Sequence, residues 1–337
     1  MTKRSVVFAA MALSSLASVA SSQALTGAGA TFPYPIYSKW FEDFRKLHPS
    51  IEINYQSKGS GAGIQQLTAE TVDFGASDAP MSDAEIAAVK IHPLHFPTVI
   101  GADVVAYNLP SVKQPLKMSS DVVARIFLGK IQKWNDPALA KLNPGVSLPP
   151  EDIIVVHRAE SSGTTYIFTD YLSNISPEWK SGPGTNKQPK WPVGIGQQGN
   201  EGVAGMIKQQ PGTLGYVEIA YVLENHMQSA LLQNRDGNFV GASLEDLTAA
   251  AAGAAKSMPA DFRVSIVNSP GAKAYPISSF TWLLIPSKIP DAKKKAALVE
   301  FLKWMLTEGQ KTCGSKDYAP LPKNVVDMEM KQISQIQ

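Results

Sequence analysis

An apolar run, IIVV at residues 153–156, leads straight into HRAESSGTT at residues 157–165. Arg158 carries a permanent positive charge on a planar fork of donors. Ser162, Gly163 and Thr164 follow as hydroxyls and an unhindered backbone at what reads as the start of a helix. Unsatisfied N–H groups and the positive end of a helix dipole suit an anion, and glycine lets it come close. Two more stretches share this character: GAGATF at 27–32 and GSGAG at 59–63. Each alone is also what an ordinary helix cap requires. Spacing along the chain does not bring three turns together in space, so caps and a shared anion site both stand at this level.

Other chemistries fit less well. In GSGAG the glycines at 59, 61 and 63 leave Ile64 where a dinucleotide fingerprint needs its third glycine or alanine. The chain has no GxxxxGK[ST] loop and no GxSxG elbow, and none of its five histidines is in HExxH spacing. His157 adjoins Arg158, but neighbours at a strand end point to opposite faces. His92 and His95 flank Pro93 in an apparent loop without acid or cysteine ligands beside them. All three are read as surface or packed histidines. Cys313 is the single cysteine and cannot form an internal disulfide, so it is read as a packed, inert thiol.

The elements that would position these turns alternate along the chain. A helical stripe of Tyr37, Trp40, Phe41 and Phe44 follows Pro33 and Pro35, prolines tolerated at a helix start. Residues 51–55 alternate as a strand, and GSGAG leads from it into a helix. Residues 72–76 form another strand, and Ser82 with Glu85 reads as a capping box. The pattern recurs from Ser120 onwards, with residues 153–156 as a buried parallel-type strand and 215–219 as another. Residues 182–205 read as Gly-rich loops around short elements. Ser243 and Asp246 cap an Ala-rich helix, and Leu298, Phe301, Leu302 and Met305 stripe a final one. This is an α/β protein. Two extended runs, 96–108 and 275–286, are long enough to cross between two lobes, which makes the first lobe discontinuous.

Length, charge and the first residues narrow the class. The chain has 337 residues, 44% hydrophobic and 18% charged, enough for two cores. Residues 1–24 place Lys3 and Arg4 before a short apolar stretch and small residues near Ala24, the pattern of a secretory leader cut after Ala24. The stretch is short for a membrane span, and no cysteine follows it to carry a lipid. Without Lys3 and Arg4 the chain holds 29 basic and 29 acidic residues. A neutral surface offers no footprint for nucleic acid and no basic face for a membrane.

Longer blocks carry a resemblance. LTGAGATFP (25–33), VDFGASDAPMSD (72–83), FPTVIG (96–101), LGKIQKWND (128–136), RAESSGTTYIF (158–168), GNEGVAG, GYVE and DYAPLP (317–322) resemble the periplasmic phosphate-binding protein of the phosphate-specific ABC transporter. The match runs over essentially the whole chain after the leader. It implies a type II two-lobed periplasmic binding protein, each lobe a sheet flanked by helices, with two inter-lobe crossings: residues 25–100 and 280–337 in lobe I, 101–279 in lobe II. The implied function is high-affinity capture of inorganic phosphate in the periplasm and delivery to the membrane permease subunits of an importer. The resemblance implies a soluble monomer without catalytic residues, cofactor or metal.

The resemblance also assigns roles. Thr31 and the Phe32 N–H match the first ligand contact, and Ser60 the second glycine-rich turn, where Gly61 and Ala62 depart from the usual SSGG. Asp78 matches the buried acid, Arg158 the single arginine, and Ser162, Gly163 and Thr164 the trio after it. Glu160 stands in place of the aspartate that steadies the arginine, and Ser161 in place of a glycine. An ionised Asp78 can only accept hydrogen bonds, which suits a ligand that still carries a proton. Two alternatives predict other features. A secreted phosphoryl hydrolase needs an activated nucleophile or metal near Arg158. A receptor for another tetrahedral oxyanion has to tolerate Asp78.

Overall fold

The computed structural model describes residues 23–337. The leader expected at 1–24 lies outside them, apart from Gln23 and Ala24, which open the first strand. Long, wholly buried strands must be covered on both faces, and the two extended runs meet that condition at the centre of the molecule. β4 (Pro93–Tyr107) is buried along all 15 residues, and β12 (Ser278–Pro286) along all but its last. They pair antiparallel from Ser278 opposite Ala102 to Pro286 opposite Pro93.

Around this pair the sheet divides. On one side lie β1 (Gln23–Gly29), β2 (Ile51–Ser57) and β3 (Phe74–Ser77), with β1 central and parallel to both neighbours and β3 paired to β12. The last residues of β4, Asp103 to Tyr107, instead pair antiparallel with β8 (Thr213–Glu218). β8 lies parallel to β6 (Ile154–Arg158), and β6 to the edge strand β7 (Ile195–Gln197). β9 (Gln228–Ser229) also pairs with β4. A separate small sheet holds β5 (Lys117–Met118), β10 (Leu231–Gln233) and β11 (Phe239–Val240). β4 thus belongs to both halves of one nine-stranded sheet, and the fold has two lobes.

Parallel neighbours need crossover helices. Tyr34–Leu47 joins β1 to β2, Ser60–Thr68 joins β2 to β3, Gly163–Ile175 follows β6, and Gly199–Gln209 joins β7 to β8. Each lobe has its own aromatic core. Phe44 meets Phe301 at 5.3 Å in one, and Phe168 stacks on Tyr216 at 4.4 Å in the other. Such pairs add about 0.5–1.5 kcal/mol beyond area burial. The capping boxes at Ser82/Glu85 and Ser243/Asp246 are both formed.

Four local expectations are corrected. The helix after β2 begins at Ser60, inside GSGAG, because Gly59 takes φ +96° and turns the chain into it. His95 lies in β4, not in a loop; it is buried, and its Nε2 accepts from Met81 N at 3.1 Å. The stretch read as loops around 182–205 contains the first turns of the helix Gly199–Gln209. The helix Ala292–Thr307 is not the last, because Lys323–Gln332 follows it. That helix buries only Val325, Glu329 and Gln332, too weak an apolar stripe to stand out.

At the division of the sheet two acids face each other. Asp103 of β4 is the register partner of Glu218 of β8, and both are wholly buried. Neither Asp103 carboxylate oxygen has a hydrogen-bond partner among the described residues. Burial pushes Asp103 well above the usual carboxylate range, Asp78 adds to the shift, and Arg158 opposes it. Burial likewise raises Glu218. A carboxyl whose folded pKa is raised binds more protons folded than unfolded. Its contribution is therefore most favourable below the unfolded value near 3.9 and is lost as pH rises. Asp103→Asn removes that penalty. The variant is expected to melt about 2–4 °C above the parent at pH 7–8, with the advantage shrinking towards pH 4. Calorimetric scans across that range check the sign.

Candidate functional site

The three glycine-hydroxyl turns converge. Thr31 and Phe32 follow the carboxyl end of β1, Ser60 opens the helix after β2, Asp78 follows β3, and Arg158 ends β6. Gly163 is the first residue of the helix after β6, with Ser162 as its cap. Every one of these lies at or just beyond the carboxyl end of a parallel strand, where crossover helices present their N-termini and open α/β sheets bind ligands. Gly29 makes the approach possible. Its φ is +147°, and a Cβ there would overlap the Ala76 carbonyl.

Arg158 is 2% exposed. Its Nε donates to Glu160 Oε1 at 3.0 Å and its Nη2 makes a short contact to the same oxygen. Its Nη1 donates to Thr164 Oγ1 at 3.1 Å. Glu160 thus holds two nitrogens of the fork through one oxygen, and that Oε1 also accepts from Gly199 N at 3.1 Å. Thr31 reaches the other lobe through Asn200, whose Nδ2 donates to Thr31 Oγ1 at 2.8 Å and to Thr164 Oγ1 at 3.1 Å. Tyr221 OH donates to the Thr31 carbonyl at 2.6 Å. The Phe32 carbonyl accepts from Tyr318 OH at 2.6 Å. Ser162 Oγ accepts from Thr165 N at 3.1 Å, so that hydroxyl does the work of a cap in this conformation.

Asp78 lies among these donors. Thr281 Oγ1 donates to its Oδ1 at 2.8 Å, and Ser60 Oγ lies 3.4 Å from its Oδ2. Burial pushes its pKa up to about 7, against the opposing effects of the Thr281 hydroxyl, the Arg158 charge, Ser60 and the Thr164 amide. The lobes touch through small residues. Gly61 N donates to the Ser161 carbonyl at 3.0 Å, and a Cβ on Gly163 would overlap Ser60 Oγ and the Asp78 side chain. Ser161, placed where a glycine was expected, therefore faces Gly61, whose missing side chain makes room for it. Beside the cluster a cavity of about 860 Å³ opens between the lobes, lined in part by Ser161, Tyr166, Glu85, Lys187 and Arg263. Ion pairs Lys187–Glu85 and Arg263–Asp83 cross it. A second cavity of about 160 Å³ reaches Asp78. Neither includes Arg158 or Thr31, whose donors are packed against each other.

Reasoning from sequence missed Asn200 and Thr281. Asn200 stands in the GNEGVAG block but resembles any polar residue at a helix start. Thr281 interrupts an apolar strand; a hydroxyl that must be buried needs a partner, and that is its only signal.

Hydroxyls, helix N-termini and a buried arginine drawn from two lobes that share their central strands suit something small that accepts hydrogen bonds from both sides. The fold and this cleft define a two-lobed binding protein. The model of the PBP superfamily domain matches residues 16–308. The chain is 44% identical to the phosphate-binding protein PstS of Pasteurella multocida, over 97% of this chain and 94% of that one. It is also 44% identical to the PstS of Haemophilus influenzae, over 91% of each. A solved high affinity periplasmic phosphate-binding protein (PfluDING) has the same fold, with a TM-score of 0.74 at 20% identity over 92% of this chain and 93% of its own. The chain belongs to the PstS phosphate-binding protein family of the PBP superfamily.

The contact between lobes at Gly163 makes a prediction. Alanine suits the first turn of a helix, so Gly163→Ala leaves helix and core intact, but its methyl group meets Ser60 and Asp78 across the cleft. The variant is expected to unfold within about 1 kcal/mol of the parent and to hold its lobes further apart. Small-angle scattering should show a larger radius of gyration, and identical scattering of parent and variant refutes the close approach.

Proposed function

We propose that this protein binds one inorganic phosphate between its lobes and, in the periplasm, delivers it to the permease subunits of an ABC importer without covalent chemistry. The observation that carries this reading is the convergence of Thr31 and Ser60 from one side of the cleft with Thr164 and the buried Arg158 from the other, around Asp78. The relatives are named phosphate-binding proteins, and their function is taken over here together with that geometry. The ligand contacts are Thr31, the Phe32 N–H, Ser60, Asp78, Arg158, Ser162, Gly163 and Thr164, with Glu160 behind the arginine. Residues 25–100 with 280–337 move as one lobe, residues 101–279 as the other, and the leader ahead of them directs export.

Arg158 supplies the full countercharge in a charge-assisted fork, and the remaining donors are short-range dipoles. Asp78 supplies discrimination. Hydrogen phosphate has a proton to give to a carboxylate, whereas sulfate sets lone pairs against it. The hydrolase alternative would need a base beside a site hydroxyl. His157, the histidine next to Arg158, instead pairs its Nδ1 with the Arg158 carbonyl at 2.9 Å and stacks on Trp191 at 4.8 Å.

Titration calorimetry with phosphate, arsenate and sulfate tests the reading. Phosphate should bind at one site, and sulfate should not displace it at pH 8. Arg158→Ala should lose about 2–5 kcal/mol of phosphate binding while its circular dichroism stays parental. A parent that releases no heat with phosphate, or an Arg158→Ala variant of parental affinity, overturns the proposal.

A further inference from the structure

Thr281 is not among the proposed ligand contacts, yet it makes the shortest side-chain hydrogen bond to Asp78, from a residue 203 positions away. β12 and β3 pair with Trp282 opposite Ser77, so the register continued by one residue sets Thr281 opposite Asp78. The register of β12 against β4 shifts between Thr281 and Trp282, a bulge of the kind that re-aims a side chain. The strand is held there from its other edge. Thr98 Oγ1 donates to the Thr281 carbonyl at 3.2 Å and lies 3.0 Å from Tyr37 OH. Both threonines are wholly buried, so the Thr281 hydroxyl is shielded from bulk water.

We propose that Thr281 is a specificity-determining positioning residue: its hydroxyl occupies Asp78 Oδ1 and keeps the carboxylate an acceptor, leaving Oδ2 to take the proton of the ligand. The inference rests on the phosphate reading for its consequence in selectivity, though not for its effect on the carboxyl. Oδ2 is the oxygen on the ligand side, because Ser60 Oγ and Gly163 both lie against it.

The groups that face Asp78 leave the task to few donors. Arg158 comes from β6, Asp103 from β4, Tyr37 from the helix Tyr34–Leu47, Tyr55 from β2 and Tyr318 from the C-terminal segment. Burial favours the neutral forms of the three phenols and of Asp103. Arg158 is the charged partner, and Ser60 and the Thr164 amide are dipoles. Burial alone lifts the Asp78 carboxyl into the neutral range, and the Thr281 hydroxyl is the largest of the opposing effects. If that hydroxyl is lost, the carboxyl keeps its proton to higher pH and presents an O–H where it presented a lone pair. A fully deprotonated oxyanion then meets a donor, and the basis for rejecting it disappears.

The test is sulfate competition against bound phosphate from pH 5 to 9 for the parent, Thr281→Val, Thr281→Ala and Thr281→Ser. The ionisation of phosphate itself is common to all four and cancels in the comparison. In the Val and Ala variants the pH below which sulfate begins to displace phosphate should rise by about one unit, the worth of one hydrogen bond to the charged form. Thr281→Ser, which restores the hydroxyl, should follow the parent. A ligand-free measurement separates this inference from the function it rests on. The ¹³C carboxyl titration of Asp78, assigned by its absence in Asp78→Asn, should move upward in the Val or Ala variant, whichever folds. Coincident competition profiles, or an Asp78 titration indifferent to Thr281, overturn the inference. A moved titration in a parent that does not bind phosphate overturns the selectivity role and the proposed function while leaving the hydrogen bond's effect on the carboxyl standing.

Discussion

A guanidinium taken almost wholly out of water must be met by partners, since a buried unpaired charge costs several kcal/mol. Much of the cleft is an answer to Arg158. Glu160 takes two of its nitrogens through one oxygen, and Thr164 takes a third. Glu160 is in turn held by the Gly199 amide. The helix that begins at Gly199 carries Asn200, which ties Thr164 to Thr31 in the other half of the molecule. One fork is thus tied by hydrogen bonds to the first residues of two helices and to a pair that meets across the cleft.

The second constraint is acidic. Asp78 and Asp103 are buried within reach of the Arg158 charge and Glu218 is buried opposite Asp103, and one positive charge already engaged by Glu160 does not compensate three more carboxylates. The structure resolves this by environment. Asp103 and Glu218 face each other in the sheet, and burial shifts both towards their neutral forms. Glu218 accepts one helix amide, from Ala220 at 2.9 Å, whereas Asp78 has the hydroxyls of Thr281 and Ser60, the Thr164 amide and the Arg158 charge to favour its ionised form. Close approach of the lobes then depends on missing side chains, at Gly61 against Ser161 and at Gly163 against Asp78.

Much of this was legible in one dimension because the cleft is assembled from local motifs. A strand end, a glycine and a hydroxyl that opens a helix are written within six or seven consecutive residues, so Arg158, Ser162, Gly163 and Thr164 declare themselves together. The same locality exposed the capping boxes at Ser82 and Ser243, the aromatic stripe of the first helix, and the long runs that became β4 and β12. The family blocks added Thr31, Ser60 and Asp78 by position. His95 was misplaced because two histidines around Pro93 resemble a loop until a backbone N–H 14 residues earlier claims the His95 ring.

What the sequence by itself determined is the set of short turns able to offer donors, since capping and glycine conformation act over a few residues. Only the tertiary structure decided which acceptors those donors face. Thr281 meets Asp78 through strand register, Asn200 bridges Thr31 and Thr164 across 169 and 36 residues, and Asp103 lies opposite Glu218 because β4 changes partners along its length. Pairings of this kind come from the packing of the whole chain, which brings residues together without regard to their separation in sequence, so no local pattern encodes them.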